Sequence, residues 1–129
     1  MPHRDAGSLA RHVFEIANRD PMQLGPLLHP DVDVEFAHAP GRIVHGRDDV
    51  MAVVKDEIVG MAVHEAMPRS FHPIDDDRIV IEGRLRWSSR GGGFRDSHAV
   101  WALAFDHGLL RRARRAGSVE EAIRELGGA

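Results

Sequence analysis

Nine histidines are spread through this 129-residue chain, so residue type alone singles out none of them and position has to decide. His38 stands out. It follows Phe36 by one strand period, in the loop 37–41, and an imidazole titrating near neutrality suits general-base work. A loop histidine exposed to water is the competing reading. His45 shares a strand face with Ile43 and can approach His38 across the loop between them. His64 and His98 are further candidates for a metal cluster, but no local ligand spacing supports one, and no metal or other cofactor is expected. His72 precedes Pro73 and reads as a strand-edge residue. Asp31 and Asp33 fall on the polar side of their strand, where they face solvent or pair with arginines. Asp75-Asp76-Asp77 lacks the spaced oxygens and the glycine of a calcium loop.

Trp87 and Trp101 are the second group with chemistry to offer. Both fall on the same side of adjacent strands, where an indole can close a core or line an apolar pocket and donate one hydrogen bond. Phe14, Phe36, Leu103 and Phe105 would complete such a wall. A histidine beside it could hold a small, largely apolar molecule with one polar handle. It could equally abstract a proton from an activated carbon or position a water. The residues do not choose between these reactions.

The composition narrows the field. The absence of cysteine excludes disulfides, thiolate metal sites and a cysteine nucleophile. Lys55 is the only lysine and sits among acids on an expected helix, which leaves little room for Schiff-base chemistry. No apolar run approaches the roughly 20 residues that span a bilayer, and the N-terminus lacks a secretory pattern, so a cytoplasmic protein with no membrane partner is expected. A net charge of −3 argues against nucleic acid. The arginines from Arg111 to Arg115 resemble a basic patch, yet they alternate along a strand beside Glu82 and other acids, with no aromatic side chain interleaved to stack a base.

These groups need a scaffold, and periodicity supplies one. From Arg78 to Arg115 the chain reads as three consecutive antiparallel strands. Ile79, Ile81, Leu85 and Trp87 alternate with Glu82, Arg84 and Arg86, then 95–105 is apolar on both faces, and Asp106-His107-Gly108 turns into the last strand. Ala102 and Ala104 lie on the second face. Upstream, Ser8 is expected to cap a helix running to Asn18, Asp20-Pro21 to start a short one ended by His29-Pro30-Asp31, and Val32, Val34 and Phe36 to form a strand. A helix is expected over 48–60, a bent edge strand interrupted by Pro68 and Pro73 over 62–74, and a final helix opened by Ser118 and Glu121, burying Val119, Ala122, Ile123 and Leu126. Residues 8–126 then form one α+β domain, with helices against one face of a curved antiparallel sheet, between a disordered 1–7 and a flexible 127–129.

The order of these pieces carries a resemblance. His29-Pro30-Asp31 before a strand, Gly46-Arg47-Asp48 opening a helix, the Asp106-His107-Gly108 turn and Glu120-Glu121-Ala122 in the terminal helix together resemble the nuclear transport factor 2-like superfamily, and more narrowly its SnoaL-like branch. That resemblance implies a cystatin-like, cone-shaped and strongly curved antiparallel sheet packed on N-terminal helices, with a short C-terminal helix and an internal apolar cavity. It implies a homodimer through the open sheet face. Ketosteroid isomerase, limonene epoxide hydrolase, scytalone dehydratase and polyketide cyclases are among the proteins it brings in, alongside non-catalytic adaptors, so it fixes little about activity.

It also implies an aspartate base near the end of the first long strand and an aspartic acid on the penultimate one. Those places fall at Phe36 and near Trp101, and neither is a carboxylate; the isomerase tyrosine has no counterpart because tyrosine is absent. Allowing for a slip of register, Glu35 or His38 would take the base's place. The expected function is binding of a small apolar molecule in a cavity, with an isomerase, cyclase, dehydratase or epoxide hydrolase, and a protein-interaction adaptor, as the alternatives.

Overall fold

The computed structural model describes residues 5–127. The first helix, α1, runs Ala6–Arg19, and its cap is Asp5 rather than Ser8: the Asp5 carboxylate accepts from the Ser8 amide at 2.9 Å. Both side chains can cap, but the helix begins where the stripe of Ala6, Leu9, Ala10 and Phe14 begins to bury. Residues 1–4 and 128–129 lie outside the described residues. A 3-10 helical segment, Pro21–Leu27, leads into β1, Leu28–Glu35. His29-Pro30-Asp31 therefore lies within the strand and does not precede it; an irregularity of register between Leu28 and Asp33 accommodates the proline.

After β2 (Ile43–His45), α2 runs Arg47–Val53 and continues into a π-helical turn, Val54–Ile58, closed by a bond from the Val59 amide to the Val54 carbonyl at 2.9 Å. Strands β3 (Val63–Pro73), β4 (Arg78–Ser88), β5 (Phe94–Asp106) and β6 (Leu109–Ala116) follow, and α3 (Val119–Gly127) ends the described chain. The sequence reading of the three consecutive strands holds, including the turn, where His107 and Gly108 take φ of 53° and 78°.

The expected cone-shaped, strongly curved antiparallel sheet does not form. The six strands are ordered β2-β1-β6-β5-β4-β3 in one open, mixed sheet, in which β1 runs parallel to β6 and the other pairs are antiparallel. Closure would require the edges to meet. One edge, β2, is three residues long, and the other is occupied: the Asn18 side chain, at the end of α1, donates to the Ala66 carbonyl at 2.7 Å and accepts from the Ala66 amide at 2.8 Å. One side chain thus satisfies a backbone pair that an edge strand leaves open.

On the inner face, α1 and α2 cover Ile79, Ile81, Leu85, Trp101 and Leu103. Gly83 also belongs to this face. At Pro68 to Ser70 the register of β3 shifts, and the β3 backbone crosses so close that a Cβ on Gly83 would lie 2.1 Å from the Met67 carbonyl oxygen.

The outer face has its own apolar patch, Val80, Val100 and Ala102, and α3 covers it with Ala122 and Leu126. Ile123, expected to be buried, is largely exposed. The cap is a near capping box: Ser118 Oγ accepts from the Glu121 amide, while the Glu121 carboxylate reaches the amide of Gly117, one residue earlier than the standard box. The apolar second face that suggested a subunit contact is therefore covered within the chain.

Candidate functional site

Between the inner face, α1, the 3-10 segment and the π-helical turn lies a partly open cavity of about 130 Å³. Its wall is built from alternate residues of the strands and one stripe of each helical segment. Val34 comes from the end of β1 and Phe36 from the residue just after it, Leu85 from β4, Trp101 and Leu103 from β5, and Phe14 from α1. Trp101 is buried and meets Phe14 edge to face, ring centres 5.0 Å apart. The π-helical turn supplies Val54 and Ile58; a wider turn of this kind moves side chains relative to a regular helix and recurs at binding sites.

Two ionisable residues border this wall, Glu35 and His64. The Glu35 carboxylate is already engaged, accepting from the Gly41 amide at 2.8 Å and the Arg115 amide at 3.2 Å. It fastens the loop 37–41 to β6. His64 is different. Its Nδ1 is buried without a hydrogen-bond partner, and burial, reinforced by the nearby His38, lowers its pKa from 6.5 to about 4.

His38 is not on the wall but stands next to it. Its ring lies 5.6 Å from that of Phe36, which is on the wall, and 6.1 Å from that of Trp87. Both of its ring nitrogens are shielded from water and have no partner among the described residues. Desolvation is the main cause holding its pKa below the ordinary value; Glu57 opposes the shift and Arg42 adds to it. The other residues singled out from the sequence are dispersed. Phe105 is packed in the core off the wall, and Trp87 is half-buried beside His38. His45 points to the other side, where it is paired with Asp33 and mostly exposed. His98 is bonded to Glu82 on the outer face at 2.8 Å, so it and His64 do not meet. No cluster of three metal-ligating side chains occurs among the described residues.

The arginines of β6 act as ties within the fold. Arg111 donates to the Asp31 carbonyl at 2.6 Å and pairs with Asp33, Arg115 donates to the Ala37 carbonyl at 3.0 Å, and Arg114 approaches Glu125 of α3. Their partners come from β1 and α3, not from Glu82, because β6 lies between β1 and β5.

No protein-family model matches the chain, and no curated protein matches it in sequence. Solved structures match it in fold. A Mycobacterium tuberculosis protein in complex with estradiol-17beta-hemisuccinate aligns over 90% of this chain and 95% of its own, with a TM-score of 0.75 and 16% identity. A Burkholderia pseudomallei protein of unknown function, described as NTF2-like, aligns over 96% and 97% at a TM-score of 0.73 and 22% identity. The chain shares its fold with these structures, one of which is described as NTF2-like. The Delta 5-3-ketosteroid isomerase from a Mycobacterium species aligns over 89% of this chain and 94% of its own, at a TM-score of 0.74 and 14% identity. At such identities the likeness is one of architecture.

Within that architecture, Trp101, Phe36, Phe14 and Leu103 lie around one space, and His64, which the sequence reading did not name as a wall residue, lies there with them. A usable signal existed: His64 and Ala66 are two apart on one strand and so share a face. Pro68 and the mixed character of 62–74 obscured it.

Proposed function

We propose that this chain binds a small, largely apolar molecule in the cavity beneath Trp101, through apolar contact with the wall and a hydrogen bond to one polar group. The observation that carries this reading is the combination of an apolar cavity with an imidazole among its wall residues, His64, whose Nδ1 has no hydrogen-bond partner among the described residues. Burying a polar ring unpaired is unfavourable, and a ligand hydroxyl or carbonyl would relieve it. One fold neighbour is in complex with estradiol-17beta-hemisuccinate, which supports small-molecule binding by a protein of this shape. No helix among the described residues is long and apolar enough to cross a membrane, so none serves as a spanning anchor. A homodimer through the sheet would use the charged part of the outer face, since α3 occupies the apolar part.

The test is a titration of toluene against the protein, followed by tryptophan emission in a Trp87→Phe background so that Trp101 reports alone, alongside Ala17→Leu, which fills the cavity from α1. Saturable change in the parent and none in the filled variant is expected. An unresponsive parent, or equal response from both, would sink the reading.

A catalytic reading is favoured by one further observation. His38 is unpaired and held below its ordinary pKa, so at neutral pH it is an uncharged base. Glu35, bound by two backbone amides, is the weaker candidate for that role. For an isomerase, cyclase, dehydratase or epoxide hydrolase of this kind, His38→Gln would abolish turnover and leave binding of the substrate in place. Retained turnover in that variant would remove His38 from the mechanism.

A further inference from the structure

The cavity's size and its charge say more about the occupant than its apolar character does. An apolar cavity of roughly 150 Å³ accommodates a benzene-sized molecule, whereas drug-sized ligands occupy roughly 300–1,000 Å³. The space here, about 130 Å³, belongs to the first class. A four-ring steroid skeleton is far larger than that. Enlarging the space to admit one would displace buried groups on several elements at once: Phe14 on α1, Val54 on the π-helical turn and Trp101 on β5.

Charge narrows the choice further. No lysine or arginine among the described residues is on the wall. Two arginines near its rim are committed elsewhere, Arg42 to the Glu57 carboxylate at 3.1 Å and Arg115 to the Ala37 carbonyl at 3.0 Å. The charged group that does border the wall is the Glu35 carboxylate, which repels an anion. A carboxylate entering this space would lose its hydration without gaining a cation, which is among the costliest exchanges an interior can impose. The polar group offered to a ligand is His64. An imidazole of the neutral form donates from one nitrogen and accepts at the other, which matches a hydroxyl. Burial keeps His64 in that form at neutral pH.

Resting on the reading of the cavity as a binding site, we propose that its ligand class is the neutral single-ring alcohol or phenol, held through its hydroxyl by His64, with steroid-sized molecules and carboxylates excluded. The ligand's ring fills the cavity beside the Phe14–Trp101 contact, and its hydroxyl meets the His64 ring where that ring lines the wall.

Four probes of graded size and charge test this on the unmodified protein by calorimetry: toluene, p-cresol, p-toluate and estradiol. The expected order puts p-cresol first, about tenfold tighter than toluene, the difference one well-made hydrogen bond supplies. Estradiol and p-toluate should bind at least about tenfold more weakly than p-cresol. In His64→Leu, p-cresol should fall to the level of toluene while toluene binding persists. Estradiol or p-toluate binding as tightly as p-cresol would overturn the ligand class and leave the cavity reading standing. A p-cresol affinity no better than that of toluene, or an advantage that survives His64→Leu, would overturn the role of His64. Failure of all four to bind would overturn both readings together. Should His64→Leu fail to fold, the four affinities of the parent protein decide the matter.

Discussion

Two pairs of histidines, one on each side of the sheet, lie under opposite conditions. On the outer side His98 is bonded to Glu82 and His45 to Asp33, each with much of its side chain in water. On the inner side His38 and His64 carry buried ring nitrogens with no partner. The outer pairs are what a solvated strand surface ordinarily provides: carboxylates and cationic groups at cross-strand positions, as in Arg84–Asp96 and Arg86–Glu65. The inner pair is unfavourable to fold around, because ring nitrogens shielded from water lack a hydrogen bond among the described residues. The contrast teaches that a histidine is informative here through the partner it lacks; abundance along the sequence said little.

The sharpest way to probe the inner face is its tightest contact. Gly83→Ala should destabilise the protein by about 3 kcal/mol, because the new Cβ meets backbone that cannot rotate aside. Urea unfolding measures it, and a loss below about 1 kcal/mol would show that the shifted register of β3 can slide. Acid probes the unpaired imidazole next. His64 has a folded pKa of about 4 against 6.5 when unperturbed, so the unfolded chain takes up its proton first as pH falls. Its contribution to stability is complete above 6.5 and is lost progressively toward pH 4, by up to roughly 3 kcal/mol. His38, lowered in the same direction, adds to the trend. Unfolding measured between pH 7 and pH 4 should show this slope, and His64→Leu should flatten it; an unchanged slope would place the cause elsewhere. The outer face should respond least. Glu82→Gln removes an exposed pairing and should shift stability by no more than about 0.5 kcal/mol at neutral pH. A larger loss would mean that the outer histidines are as consequential as the inner ones.

Much of the scaffold was legible because it depends on local alternation. Ile79, Ile81, Leu85 and Trp87 specify a half-buried strand wherever they are placed, and Asp106-His107-Gly108 supplies the positive φ values of a tight turn. The same alternation placed Phe36 and Trp101 on inward faces. The cap of α1 was misplaced by three residues because Asp5 and Ser8 are both capable, and the choice follows from where the helix begins to bury. The curvature was misjudged for a different reason. Alternation fixes which side chains share a face, while openness of the sheet depends on which strands become edges and what covers them.

The sequence by itself determined the strands, their inward residues and an apolar space lined by aromatic side chains, since each follows from periodicity over a few neighbours. Only the tertiary structure decided that β1 joins β6 in parallel, that Asn18 closes one edge, that α3 covers the second apolar face, and that His64 reaches the cavity while Glu35 is spent on backbone amides. Those outcomes join residues far apart along the chain. No local pattern encodes which distant donor will satisfy a given acceptor, and a histidine left without one can be recognised only when every neighbour is in place.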